Sequence, residues 1–332
     1  MPETRIADVV VPEVFSNYLM ERALAKNVFY RSGVLVRNAL ISQFLNGGGE
    51  TFNVPFWKDL SGDDEVPSET DDATINKIDT AKQIARRLLR LKAWGSNDLA
   101  AALAGEDPFT AIGERVAQYW DTKMENALVA TAKGVIADNI ANDGSDLVLD
   151  ISIEDGNNAA ATNKISASDT ITAVMKMGDR FDEITGIAVH PAVYTTMLQN
   201  DLIDYIKDSQ GNLIMRQFMG LAVVVDEGLP VIAGGTSGYK YHSYLFKSDA
   251  FAYGESESGI ITVEVDRDPK PGMGVDQLFT RRQFTIHPQG FAWQEASVAG
   301  VAPTNAELET AGNWDRVYEK KNTGIVAIIS NG

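Results

Sequence analysis

A chain of 332 residues has room for about two domains and a substantial core, and 44% apolar residues with 8% aromatics exclude global disorder. No run of ~18 apolar residues occurs, so no helix spans a bilayer, and Met1–Arg5 lacks the basic-then-apolar pattern of a secretory leader. A net charge of −17 argues against a protein that grips phosphate backbones, and zero cysteines remove disulfides, thiolate chemistry and cysteine-ligated zinc together.

From the N-terminus, Pro12 to Lys26 reads as an amphipathic helix, with Phe15, Leu19 and Leu24 on its apolar side, Glu13 in the first turn and Lys26 in the last. Val28 to Leu45 is apolar but irregular, broken by Gly33, and is expected to be an extended arm with short elements. Gly47-Gly48-Gly49 marks a first boundary. Thr51 to Trp57 then alternates, Phe52, Val54 and Phe56 facing one way, and Pro55 makes it an edge strand.

The charges that follow are segregated. Asp59, Asp63, Asp64, Glu65, Glu69, Asp71 and Asp72 crowd one loop beside a single lysine, Lys58. The returning limb, Ile75 to Trp94, carries Lys77, Lys82, Arg86, Arg87, Arg90 and Lys92. Two extended limbs joined by a long polar loop form a hairpin that does not bury both faces by itself, so another surface must cover it. The charge run is either a solvated loop beside a basic strand or a pair of surfaces that meet their counterparts on neighbouring copies. On the second reading the contact candidates are those acidic residues with Lys77, Lys82, Arg86, Arg87, Arg90, Phe52, Phe56 and Trp57.

Asp107 to Asn142 is the stretch around which the rest is organised. Asp107 can cap a helix, Pro108 suits its first position, and apolar residues recur at Phe109, Ile112, Val116, Trp120, Met124, Ala127, Leu128 and Val135, with the half-apolar Thr131 among them. Glu114, Arg115, Asp121, Glu125 and Lys133 mark the opposite face, and Asn142-Asp143-Gly144 is the stop signal. At about 1.5 Å per residue such a helix spans roughly 50 Å, a strut longer than a compact domain needs.

Asp146 to Lys164 is a polar connection that carries at most a short strand. Ser168 is expected to cap a helix with Ile171, Val174, Met175 and Phe181 on one side, followed by a strand at Ile184–Val189 and a helix started by His190-Pro191. Further strands are expected at Leu221–Val225, across Lys240–Tyr253 as a strand or hairpin, at Ile260–Val265 and at Gln277–His287. Gly324–Ile329 is an apolar strand that needs a sheet to join. Helices alternating with strands, then strands running together, give an α+β class.

Catalytic signals are nearly absent. His190 and His287 each precede a proline at a strand end, where a histidine is usually a cap or turn residue, and His242 is the third. There is no phosphate loop, no dinucleotide fingerprint and no nucleophile elbow. Asp266 with Asp268, or Asp63-Asp64-Glu65, offer oxygen ligands to a hard cation without a coordination spacing. No cofactor, metal or catalytic residue is assigned.

The order of parts carries more information than any site. The arm and the charged hairpin lead to Lys92-Ala93-Trp94-Gly95-Ser96-Asn97-Asp98-Leu99-Ala100, then to Asp107-Pro108 and the long helix with Tyr119-Trp120. His190-Pro191-Ala192-Val193-Tyr194, Asp266-Arg267-Asp268, Arg281-Arg282-Gln283 and His287-Pro288-Gln289-Gly290 follow. This order resembles the major capsid proteins of tailed bacteriophages with the Hong Kong 97-type fold. The resemblance implies an N-terminal arm over 1–48, an extended hairpin loop over 49–93 and a peripheral domain over 94–165 with its spine helix at 107–142. An axial domain over 166–285 and a C-terminal return to the sheets over 286–332 complete it. It implies a non-enzymatic coat protein that closes through hexamers and pentamers into an icosahedral head in the host cytoplasm. That head would enclose double-stranded DNA without reading its sequence, with scaffolding, portal and decoration proteins as further partners and no membrane. Head-to-tail contacts in a shell would cover the long helix, the hairpin and the apolar last strand. An encapsulin-like cellular compartment is the alternative within the same fold, and a metal-dependent intracellular hydrolase using the acidic clusters is a more distant one.

Overall fold

The structure, a computed structural model, describes residues 28–57, 64, 75, 78, 80–98, 108–207, 213–256, 258–270 and 274–332. The expected helix at Pro12–Lys26 and the expected cap at Asp107 lie outside them. The described chain opens on short elements, as its irregular apolar pattern suggests: a single turn α1 (Val28–Arg31), strand β1 (Leu35–Arg37) and helix α2 (Ala39–Asn46). The Asn38 side chain starts α2 by accepting from the amides of Leu40, at 2.9 Å, and Ile41, at 3.4 Å. Ile41 and Leu45 are its buried face.

Among the described residues, strands β2 (Thr51–Trp57) and β3 (Thr80–Arg86) pair only with each other, register Phe52 with Ala85 and Trp57 with Thr80. The returning limb is not one strand. After Arg87 the chain changes partners, and β4 (Leu88–Asn97) joins a different sheet.

Helix α3 runs from Pro108 to Asn142, 35 residues, and ends where Asn139 takes over the hydrogen bonding: its side chain accepts from the Leu147 amide and donates to Asp146. Gly144 follows in the left-handed region at φ 68°, the conformation that glycine adopts without strain. Val116, Trp120, Met124, Ala127, Leu128, Thr131 and Val135 are all buried, so the helical period did locate the packed face. Asp121, assigned to the exposed face, is buried as well. The strut crosses two cores. Val116, Ala117 and Trp120 pack with Val263 and Leu278, whereas Met124 to Ile136 enter the main core. At Gly134 a β-carbon would stand 1.9 Å from the Leu308 carbonyl, so only glycine lets the C-terminal segment lie on the helix there.

Beyond the strut come β5 (Val148–Asp150), α4 (Ala167–Val174), β6 (Ile184–Val189), α5 (Pro191–Gln199), β7 (Asp204–Lys207), β8 (Leu213–Phe218), β9 (Leu221–Val225) and β10 (Val231–Ala233). Next are β11 (Tyr239–Lys247), β12 (Phe251–Glu255), β13 (Val263–Asp268), β14 (Val275–Pro288), β15 (Phe291–Trp293), α6 (Asn305–Leu308), β16 (Trp314–Arg316) and β17 (Ile325–Ser330). One sheet has eight strands in the order β5-β17-β11-β6-β9-β8-β7, with β10 also on β11. A second has five, β1-β12-β14-β13, with β4 on the other flank of β14.

Four expectations change here. Ser166, not Ser168, caps α4, its hydroxyl accepting from the Asp169 amide. The inward side of that segment is Thr170, Ala173 and Met177, while Ile171, Met175 and Phe181 are exposed, because the α-helix gives way at Met175 to a tighter 3-10 run that kinks at Gly178. Lys240–Tyr253 is neither one strand nor a hairpin: β11 and β12 belong to different sheets, and the chain crosses between them through Asp249 at φ 64°. The apolar last strand needs no neighbouring subunit. β17 lies between β5 and β11 with all six residues buried.

Candidate inter-subunit surface

Alternation divides the β2–β3 ribbon into two faces. Phe52, Val54 and Phe56, with Gln83 and Ala85 beside them in register, turn toward the chain's own body. Phe52 stacks on Phe44 of α2 at 5.8 Å between ring centroids, and Phe56 meets Tyr318 edge-on at 4.5 Å. The other face carries Thr51, Asn53, Pro55 and Trp57 and is exposed, Trp57 at 66% of its surface. Its neighbours in register, Thr80 and Lys82, are also exposed. Past Trp57 the described residues Asp64, Ile75 and Ile78 are exposed too, Ile75 at 96%. One side of the ribbon is therefore supported from within, and the other presents aromatic and aliphatic groups outward. Asp59, Asp63, Glu65, Glu69, Asp71, Asp72 and Lys77 lie outside the described residues.

The arginines of the returning limb have partners in their own chain. Arg86, 4% exposed, pairs with Glu50 at 3.1 Å and Glu295 at 2.9 Å and donates to the Val301 carbonyl at 3.0 Å. Arg87 donates to the Leu45 carbonyl at 2.8 Å, satisfying the end of α2. Arg90 donates to the Asn305 side chain at 3.2 Å, and burial lowers its pKa, opposed by the nearby Glu307. Sequence reading placed all three on an outward basic limb; Lys82 and Lys92 are the described members of that limb that stand exposed.

Reading the sequence also missed Gln83, His287 and Tyr318, which meet at the ribbon's root, and Glu295, which pairs with Arg86. A glutamine within an alternating strand carries no signature, and its partners lie more than two hundred positions away. Of the histidines, His190 caps α5, its Nδ1 accepting from the Ala192 amide at 3.2 Å. His287 is instead a buried hydrogen-bonding partner, 2.8 Å from the Gln83 carbonyl oxygen. Burial holds both His287 and His242 down to a pKa of about 4, with Lys133 adding to the effect at His242. Among the described residues no three His, Asp or Glu side chains converge as a metal site, and Asp266 and Asp268 cap the local amides of Arg267 and Lys270.

Under the spine, charge is buried deliberately. Arg282 pairs with Glu255 at 2.5 Å, both nearly inaccessible, and Tyr253 donates to the other Glu255 oxygen at 2.6 Å. The Trp120 indole donates to Thr280 at 3.1 Å, and the Arg282 guanidinium sits 6.0 Å from the centre of the Trp120 ring. The two Trp120 contacts tie the long helix to β14, because a hydrogen bond is directional, while the Arg282–Glu255 pair joins β14 to β12.

The described residues thus set a long strut beside a half-covered ribbon. The family model described as Gp13-like, major capsid protein 13-like, matches residues 103–326. The chain belongs to the Gp13-like major capsid proteins. The major capsid protein of Bacillus phage SPP1 is 37% identical over 332 residues, covering 98% of each chain. The capsid of Ralstonia phage GP4 superposes with a TM-score of 0.59 at 9% identity, covering 90% of this chain and 87% of that one. The cyanophage Pam1 capsid asymmetric unit gives 0.56 at 10% identity, with 87% of each chain covered. Identities this low carry the fold alone, and the fold is the Hong Kong 97-type capsid fold. As a major capsid protein the chain is a structural component of a phage shell built from copies of itself.

Proposed function

We propose that this chain closes an icosahedral head through hexamers and pentamers around double-stranded DNA, by lateral contact and without any catalytic step. Assembly takes place in the host cytoplasm, and scaffolding, portal and decoration proteins are its further partners. The extended ribbon and its acidic loop overlap the adjacent subunit. The observation that carries this reading is the ribbon's asymmetry: its inner face packs on Phe44 and Tyr318, while Trp57 and its neighbours are left open. An open strand edge with exposed aromatic groups is a liability in an isolated protein and an interface in a repeated one. The excess of negative charge suits a container that encloses DNA without adhering to it.

Deleting Asp59–Asp72 is expected to leave a folded subunit and to abolish closed particles by negative-stain microscopy. Normal shells from the deletion would overturn the role given to the ribbon. Particles purified from infected cells are expected to contain double-stranded DNA protected from nuclease; a protein cargo in its place would favour the cellular-compartment alternative.

A further inference from the structure

The ribbon's attachment to its own subunit is polar in a way that stability does not require. Gln83 is 6% exposed and both ends of its amide are hydrogen-bonded. Its carbonyl oxygen faces His287 Nε2 at 2.8 Å and accepts from the Gly290 amide at 3.2 Å, while its Nε2 donates to the Tyr318 hydroxyl at 2.7 Å. Because that oxygen only accepts, the His287 proton in this arrangement resides on Nε2. Three residues further on and on the opposite face of β3, Arg86 holds Glu50, Glu295 and the Val301 carbonyl, and its own carbonyl accepts from Thr285 at 3.1 Å. Glu295 makes its contact from a left-handed backbone at φ 55°, a conformation disfavoured for glutamate.

Apolar contact is non-directional, so Phe52, Val54 and Phe56 alone would hold the ribbon against the body yet let it slide or swing. Hydrogen bonds are directional, and a buried donor or acceptor that loses its partner costs about 1–3 kcal/mol. Two such anchors three residues apart, reaching β14 and its turn on one side and the 295–301 segment on the other, define an angle. We infer that Gln83 and Arg86 are positioning residues that set the direction in which the ribbon leaves the subunit before it meets another copy of this chain. The inference rests on the ribbon being the part that reaches a neighbour. Preorganisation of this kind removes an ordering cost from each lateral contact.

The absence of native cysteine makes the test clean. Spin labels are placed on Thr80→Cys, at the exposed end of β3, and on Thr172→Cys, on the exposed side of α4, in the full-length chain kept below its assembly concentration. The parent is expected to give one narrow distance distribution. Gln83→Leu, which takes the acceptor away from buried His287 and the buried Gly290 amide, and Arg86→Leu are expected to broaden it at least twofold and to lower closed-particle yield about tenfold, the population factor for one such lost partner. Should either variant fail to fold, Tyr318→Phe removes the hydroxyl to which Gln83 donates while keeping the ring against Phe56, and its broadening decides the matter. A distribution as narrow as the parent's in the folded variants, or parent particle yield despite broadening, overturns the inference. Failure of the labelled parent to form shells, with broadening intact in the variants, would instead sink the assembly reading and leave the positioning by Gln83 and Arg86 standing.

Discussion

The eight-stranded sheet and the ribbon that hangs from the five-stranded one solve opposite problems. In the sheet, β17 buries all six of its residues and has a strand on either flank. In the ribbon, β2 has a partner on one flank, exposes alternate residues, and is tied to the body by Gln83, Arg86 and two aromatic contacts. The first region is stabilised by apolar area removed from water, which is strong and indifferent to direction. The second spends little area and instead fixes orientation. A coat subunit needs both, because the body must survive alone and the ribbon must be presented at a set angle.

That contrast can be broken from either end. Ile328→Asp places a carboxylate in β17 with no partner and is expected to destabilise the subunit by about 4 kcal/mol or more, enough to unfold it. Circular dichroism would register the loss, and a variant with parent-like melting would show that the sheet is less committed than its burial implies. A smaller effect is expected from acid. His242 is titrated near 6.5 when unfolded and about 4 when folded, so the unfolded chain binds more protons between those values. Its stabilising contribution is complete above pH 6.5 and is lost as pH falls toward 4, amounting to about 3 kcal/mol at the parent's expense. Asp138, which burial raises to about 6, runs the other way: its burdened ionisation is relieved as pH falls through 6. His242→Phe is therefore expected to flatten the fall in urea midpoint between pH 6.5 and 4, and an unchanged slope would assign the acid sensitivity elsewhere. The smallest effect on the isolated subunit belongs to Trp57→Ala. With 66% of its surface already in water, it is expected to change subunit stability by less than about 0.5 kcal/mol while reducing particle yield. Equal losses in both measurements would mean that Trp57 belongs to the subunit's own packing.

Much of the scaffold was legible because it is local. The strut declared itself through an unbroken 3.6-residue period closed by Asn142-Asp143-Gly144, and β6, β9 and the His190 cap lie where short apolar runs and a His-Pro pair put them. What sequence reading misplaced depends on contacts between distant positions. The alternation of β11 continues into β12 without a break, and only the left-handed Asp249 between them sends the two into different sheets. Arg86, Arg87 and Arg90 looked like an outward basic face because nothing local reveals that Glu295, Leu45 and Asn305 fold back to receive them. Around α4, small residues conceal the inward side: Thr170 and Ala173 are buried where the larger Ile171 and Met175 are not.

Strand β14 has a consequence in time. One flank of it pairs with β4 along Phe284–Val275, and the other takes β13 and then β12. During synthesis β4 emerges at residues 88–97 and waits for residues 275–288, an interval on the order of ten to thirty seconds at typical ribosomal rates. Until then the root of the ribbon has no seat, since His287 and Gly290 have yet to be made. The segment proposed as the contact with other copies is thereby seated only once the polypeptide is nearly finished.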